Sequence, residues 1–189
     1  MFIVGGQGLN FLIKTHKMKH LSKIFFTAIA LTLLFNQLGY AQEQKNGLKW
    51  YTDINEVCKL SNKTKKPVFA FFTGSDWCGW CHRMQDNVFA KPGFRAWAKK
   101  NVILMELDFP RMKKLPDTLA NQNNSLQQFF KVQGFPTVWI FNIIKDKATN
   151  KFNITALGSL GYPQVEPGKE EATFLENVNK ILKTKDKAK

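Results

Sequence analysis

The sequence has 189 residues, of which 28 are lysine or arginine and 14 are aspartate or glutamate, giving a formal net charge of +14. Its three cysteines are too few for a small scaffold held together by several disulfides. Nucleic-acid binding needs a basic face interleaved with stacking aromatic residues, whereas many lysines here are grouped before one apolar run and near the C-terminus.

The first 41 residues have the composition of a secretory signal. Lysines and a histidine between residues 17 and 23 form a basic start, and residues 24–34 are an uncharged apolar run. Gly39-Tyr40-Ala41 is a small-x-small cleavage site. We therefore predict a signal peptide over 1–41, and an alternative start at Met18 gives it a more usual length.

Cleavage after Ala41 leaves residues 42–189, a length that suits one domain with a single core. The alternative is an uncleaved membrane anchor. A spanning helix needs about 20 apolar residues, and Asn36 and Gln37 interrupt the run. We expect a periplasmic protein with no stable membrane insertion after cleavage and, because of export, no nucleic-acid partner.

The domain is expected to begin with a short strand near Trp50, followed by a helix. Asp53 is a candidate N-cap for this helix, with Glu56 three residues later. Cys58 lies on its apolar face and is therefore predicted to be a buried core residue rather than a third redox thiol.

A cysteine pair follows closely after a strongly apolar stretch. Residues 68–72 are apolar at every position, as expected of a parallel strand covered by helices on both faces. Cys78 and Cys81 then lie where a helix begins, so backbone N–H groups and the helix dipole favour a thiolate at Cys78. The spacing allows a small-loop disulfide, so Cys81 can resolve a mixed disulfide at Cys78. We predict Cys78 as the nucleophile and Cys81 as the resolving thiol.

Further helices and strands are predicted downstream. The helix continues through Met84, breaks near Pro92-Gly93 and resumes, and a buried strand covers residues 102–107. Prolines and asparagines then predict a long connection over 109–124, whose role is left open. A short helix ends near Phe130.

The last part of the domain is predicted to contain two strands and a helix. Gly-Phe-Pro-Thr at 134–137 leads into a strand over 137–141, and a polar turn at 142–150 connects it to a strand over 151–157. Apolar residues from Phe174 to Leu182 then recur with helical spacing.

These segments resemble the thioredoxin superfamily, and more narrowly exported thioredoxin-like proteins. The resemblance lies in Phe-Thr-Gly-Ser-Asp-Trp-Cys at 72–78, in the Cys-x-x-Cys pair and in Gly-Phe-Pro-Thr at 134–137. It implies an α/β thioredoxin fold, with a central mixed sheet flanked by helices on both faces. It also implies a redox-active Cys78–Cys81 disulfide, cysteine-containing clients, an upstream redox partner protein and a monomer without cofactor or metal.

The resemblance also assigns supporting residues. Pro136 is expected to form a cis peptide bond facing the redox pair, which leaves the backbone of Phe135 free to pair with a client segment. Trp77 is expected to form apolar surface beside an exposed sulfur. Gly79 and Trp80 lie where the superfamily tunes its redox potential, so the direction of exchange is left open. Phe71 replaces the buried acid that helps to deprotonate the resolving cysteine in the superfamily.

Two other functions compete with this prediction. Residues 78–82 read Cys-x-x-Cys-His, the attachment motif of c-type haem, although the preceding strand and the downstream Gly-Phe-Pro-Thr favour redox chemistry. A redox-inactive binding module of the same fold is disfavoured because both cysteines are present. A zinc site lacks a second cysteine pair. We therefore predict an exported protein disulfide oxidoreductase acting as a reductase, isomerase or oxidase.

Overall fold

Six strands of the described residues form one mixed sheet. The computed structural model describes residues 42–45 and 47–187, so the predicted signal at 1–41 lies outside them. The strands are β1 Gln42–Lys45, β2 Leu48–Tyr51, β3 Val68–Thr73, β4 Ile103–Asp108, β5 Thr137–Lys145 and β6 Phe152–Leu160. Their spatial order is β1-β2-β4-β3-β5-β6. β2, β3 and β4 run parallel, whereas β1, β5 and β6 each join the sheet antiparallel to a neighbour.

Helices cover both faces of this sheet. Within the described part of the chain they are α1 Ile54–Thr64, α2 Gly79–Met84 with a π-helical extension Gln85–Phe89, α3 Pro92–Asn101, α4 Asp117–Phe129 and α5 Glu170–Lys187. The α2 segment with its extension, α3 and α5 contribute apolar side chains to one core, and α1 and α4 contribute to a second. None of these helices is long and apolar enough to cross a membrane. The predicted mixed sheet with helices on both faces is confirmed.

The central strand β3 positions the cysteine pair. It lies between β4 and β5, and all its residues are buried. Phe69 and Phe71 belong to the core under α2, α3 and α5, whereas Ala70 and Phe72 belong to the core under α1 and α4. This alternation is the geometry of a strand covered on both faces. Cys78 therefore follows the carboxyl end of a rigid, fully packed strand.

The connection predicted over 109–124 is wrong in its second half. α4 begins at Asp117, so only residues 109–116 form a loop. The asparagines in this stretch favour turns in isolation, but a tertiary contact stabilises the helix here. Asn123 is buried, and its side-chain amide donates to the backbone oxygen of Asp108 at 2.9 Å. A packing contact thus outweighs the local preference.

The predicted turn between the last two strands is also too long. β5 continues to Lys145, so the turn spans residues 146–151 rather than 142–150. The strand predicted over 151–157 runs to Leu160. Both strands are longer because they pair with each other along almost their whole length. Polar residues within them gave no strand pattern, so this length was not predicted.

Candidate active site

The two cysteines lie at the start of α2, as predicted. Cys78 is the N-cap residue, and its backbone N–H donates to the carbonyl oxygen of Gly74 at 2.9 Å. Its sulfur is bonded to that of Cys81, with 5.2 Å between the two Cα atoms. The same sulfur accepts the backbone N–H of Cys81 at 3.2 Å. The structure thus places a disulfide where the first helical N–H groups converge.

The two cysteines differ in their access to solvent. Cys81 is fully buried, and Cys78 is 5% exposed. The sulfur of Cys78 is therefore less open than the sequence suggested. The exposed groups are its neighbours Trp77 and Trp80, at 38% and 49%. Of the two cysteines, only Cys78 borders the surface that these tryptophans form.

A carboxylate at the end of β4 fixes the turn between β3 and α2. Asp108 is buried, and its two oxygens accept the backbone N–H of Ser75 at 2.8 Å and the hydroxyl of Ser75 at 2.7 Å. The ammonium of Lys113 lies 3.2 Å from one of these oxygens. Asp108 therefore holds the turn that leads to the cysteines.

Replacement of Asp108 by alanine should destabilise the protein because the partly buried N–H and hydroxyl of Ser75 lose their acceptor. We expect the free energy of unfolding to fall by about 1–3 kcal/mol, measured by urea denaturation. The matched control is Glu166→Ala, because the carboxylate of Glu166 is exposed and pairs with the exposed Lys169. This control should lose less than about 1 kcal/mol. Equal losses in the two variants would refute the anchoring role of Asp108.

The loop between β4 and α4 packs on the redox segment. The indole N–H of Trp77 donates to the carbonyl oxygen of Phe109 at 2.8 Å. Asp76 accepts the backbone N–H of Arg111 at 3.0 Å and that of Met112 at 2.8 Å. These hydrogen bonds from Arg111 and Met112 lower the pKa of Asp76, which keeps its carboxylate ionised and accepting. The loop whose role was left open thus borders the candidate site.

The Gly-Phe-Pro-Thr segment lies against the same loop. The peptide bond between Phe135 and Pro136 is cis, as the resemblance implies. The ring of Phe135 stacks on that of Phe109 with their centroids 5.0 Å apart, and it contacts the ring of Trp77 at 5.8 Å. Two segments that are distant in the sequence are therefore brought together next to Cys78.

One buried acid near the site was not predicted from the sequence. Phe71 replaces the expected acid, and its register partner on β4 is Glu106, which is only 7% exposed. Side chains alternate along a strand, so Glu106 shares a sheet face with Leu104, which belongs to the core of Cys81. A carboxyl group thus lies on the sheet face that packs against Cys81, one strand away from the expected position. In the sequence, the buried position of Glu106 is indicated only by its place as the single acid within the apolar stretch 102–107.

The geometry does not fit covalent haem attachment. Both sulfurs of the Cys-x-x-Cys-His motif would have to bond to the haem, whereas Cys81 is fully buried in the core. The Nε2 atom of His82 lies 2.9 Å from the carbonyl oxygen of Ser75, so this ring nitrogen is already engaged. We discard this alternative. The described residues also contain no group of three or more His, Cys, Asp or Glu side chains that could hold a metal ion.

Cys58 is a free thiol buried under the opposite face of the sheet. It belongs to the core under α1 and α4, whereas Cys81 belongs to the other core. Burial raises the pKa of its thiol, although a hydrogen bond from Asn62 acts in the other direction. Its prediction as a core residue is confirmed.

Alkylation tests this assignment of Cys58. Because the raised pKa and the burial both suppress the reactive thiolate, we expect iodoacetamide at pH 8 to add nothing to the folded, oxidised protein. In denaturant, mass spectrometry should find one added group. Rapid labelling of the folded protein would instead identify Cys58 as an accessible third thiol.

Comparison with known proteins agrees with this geometry. A model of the Thioredoxin-like family matches residues 49–142. The chain is 38% identical over 89 residues to the disulfide bond reductase DsbH of Chlamydia pneumoniae. This alignment covers 47% of the present chain and 53% of DsbH. It is 26% identical over 125 residues to the thioredoxin-related protein DsbJ of the same organism, covering 66% of this chain and 35% of DsbJ. The chain thus spans about half or less of these curated relatives.

One solved structure is also similar over most of its length. The DsbH oxidoreductase structure superimposes with a TM-score of 0.60 at 29% sequence identity. The match covers 77% of this chain and 94% of that one. The two chains therefore share their fold over most of the length of that structure.

Proposed function

Because the chain belongs to the thioredoxin superfamily, we propose that it is a thiol-disulfide oxidoreductase that reduces disulfides in client proteins. The observation that carries the proposal is the Cys78–Cys81 disulfide at the onset of α2. Burial of Cys81 and the position of Cys78 beside two exposed tryptophans support the division of roles. The reductive direction is taken from the relative named as a disulfide bond reductase.

In the proposed reaction the reduced protein passes two electrons to its client. The thiolate of Cys78 attacks one sulfur of the client disulfide, and the other client sulfur leaves as a thiolate that takes up a proton. Cys81 then loses its proton and attacks the sulfur of Cys78. This attack expels the second client thiolate and closes the Cys78–Cys81 disulfide. An upstream dithiol protein reduces that disulfide again.

The residues around the disulfide are proposed to bind the client. Trp77 and Trp80 offer exposed apolar surface on the two sides of Cys78. The backbone at Phe135 and Pro136 is proposed to pair with an extended client segment, which would position the client sulfur. A side chain at Gly79 would meet no atom within 4 Å, so the space above the helix onset is open to a client.

The proposed setting is the periplasm. A basic start, an apolar run and a small-x-small site over residues 1–41 support export with a cleaved signal. In that oxidising compartment disulfides persist, which supplies substrates to a reductase. The mature form is proposed to act as a monomer, without stable membrane insertion and without a nucleic-acid partner.

Catalysed reduction of insulin by dithiothreitol tests the proposal. Insulin disulfides should be reduced much faster than by dithiothreitol alone. The Cys78–Cys81 dithiol reduces insulin, and dithiothreitol then reduces the resulting Cys78–Cys81 disulfide. Cys58→Ala should keep this activity, since Cys58 lies in the other core. A protein that forms the disulfide yet gives no acceleration would instead be a binding module of the same fold.

A further inference from the structure

The guanidinium groups of two arginines lie over the rings of the two tryptophans that flank Cys78. The guanidinium carbon of Arg111 is 3.7 Å from the ring centroid of Trp77, and that of Arg83 is 4.6 Å from the ring centroid of Trp80. Trp77 directly precedes Cys78, and Trp80 follows it by two residues. The disulfide is therefore bracketed by two cation-aromatic pairs that come from different elements, the loop before α4 and α2 itself.

Among the described residues, neither guanidinium forms an ion pair with a carboxylate. Within the described residues, no carboxylate oxygen lies within 4.0 Å of a nitrogen of Arg83 or Arg111. Asp76, the acid closest in sequence to Cys78, is occupied by two backbone N–H groups of the loop. Asp86, one turn after Arg83, is exposed but forms no ion pair with it. In the described part of the chain, both guanidinium groups are therefore outside any ion pair and can bind an external anion.

Stacking leaves these arginines ready to bind an anion. A guanidinium on an aromatic face is held by the ring, while its N–H groups point outward along its edge. That edge matches the two oxygens of a carboxylate. Pre-ordered cations of this kind cost little side-chain entropy when they bind, and they also steer oppositely charged partners.

We infer that the clients of this protein carry acidic residues next to the disulfide cysteine, and that Arg83 and Arg111 bind those carboxylates. The inference rests on the proposed function and names its substrate class. An extended segment advances about 3.3 Å per residue, so residues adjacent to the client cysteine would lie above the tryptophans that flank Cys78. Acidic clients would be favoured, and lysine-rich ones would be repelled.

Peptide disulfides that differ only in charge test the inference. The probes are the symmetrical disulfides of Gly-Glu-Cys-Glu-Gly, Gly-Gln-Cys-Gln-Gly and Gly-Lys-Cys-Lys-Gly. The second-order rate constant for their reduction by the pre-reduced protein is measured in a single turnover at low and high salt. We expect the Glu peptide to be preferred over the Lys peptide by about tenfold at low salt, and the preference to shrink as salt screens the charges. The double variant Arg83→Gln/Arg111→Gln should lose most of the preference, whereas Arg83→Lys/Arg111→Lys should retain part of it.

A charge-matched control separates this local effect from the overall positive charge. Lys63 and Lys100 are exposed and precede β3 and β4 in the chain. They therefore lie near the amino ends of these parallel strands, whereas the disulfide follows the carboxyl end of β3. Lys63→Gln/Lys100→Gln removes the same charge and should keep the full preference. Equal loss of preference in both double variants would overturn the inference, as would reduction of the three peptides at equal rates. If insulin is reduced but none of the peptides is, the inference fails alone. If insulin is not reduced either, the proposed function fails with it.

Discussion

Replacement of Cys81 by serine is expected to leave a disulfide client covalently attached to Cys78, whereas replacement of Cys78 should leave almost none attached. Cys78 borders the surface and accepts the N–H of Cys81, while Cys81 is fully buried. A buried thiol cannot meet an external disulfide, but it can attack the sulfur to which it was bonded. We therefore expect nearly all of the Cys81→Ser variant, and almost none of the Cys78→Ser variant, to carry an attached client.

The trapping experiment uses both serine variants in a Cys58→Ala background, so that no third thiol contributes. Each reduced variant is mixed with a peptide disulfide, quenched in acid and examined by mass spectrometry. We expect a stable adduct of one peptide on the Cys81→Ser variant. Adducts of similar yield on the two variants would mean that the roles of the two cysteines are not divided as proposed.

Replacement of Phe69 by alanine is expected to cause the largest loss of stability among single core changes. Phe69 is fully buried in β3, and its ring contacts those of Phe89, Phe94 and Phe174 at centroid distances of 5.7, 5.6 and 6.0 Å. Removing such a ring leaves a cavity that rigid neighbours cannot fill. We expect a loss of about 3–5 kcal/mol in the free energy of unfolding.

Urea denaturation followed by tryptophan fluorescence measures this loss, with the disulfide kept oxidised throughout. Phe129→Ala provides the matched control because the Phe129 ring is largely exposed at the end of α4. The control should lose only about 1 kcal/mol or less. Comparable losses would show that the core under α2, α3 and α5 tolerates the cavity by collapsing.

The sequence was sufficient for the parts of the fold that depend on local pattern. The uniformly apolar stretch 68–72 became the central strand, Asp53 caps α1 as predicted by accepting the N–H of Asn55, and Cys58 is buried. The cysteine pair was recognisable because the strand before it and the Gly-Phe-Pro-Thr segment after it agree with a single fold. Each of these features is readable from spacing and residue type alone.

The remaining features depend on contacts between distant segments. α4 starts earlier than predicted because Asn123 binds the end of β4, which no local preference reveals. The position of Glu106 opposite Phe71 depends on strand register. β1 was not predicted, since its polar residues give no strand pattern and its pairing with β2 is what defines it.

The loop of residues 109–116 illustrates the same limit for the candidate site. Its sequence contains prolines and charges that suit any surface loop. Its contacts with Trp77, through the Phe109 carbonyl and the Arg111 guanidinium, arise only because β3 and β4 end side by side. A hydrogen bond or stacking contact between segments more than 30 residues apart leaves no periodic trace in a single sequence.

The central claim is that Cys78 and Cys81 form a working redox pair, and their equilibrium with a thiol-disulfide buffer tests it most directly. The measurement is the fraction of each cysteine oxidised, read by differential alkylation and mass spectrometry across a series of buffer potentials. We expect one two-electron transition shared by Cys78 and Cys81, at a potential near that of thioredoxin, about −270 mV. Cys58 should remain a thiol throughout. A pair that stays in one state across the series, or a transition near the value of strong oxidants, about −120 mV, would contradict a disulfide reductase.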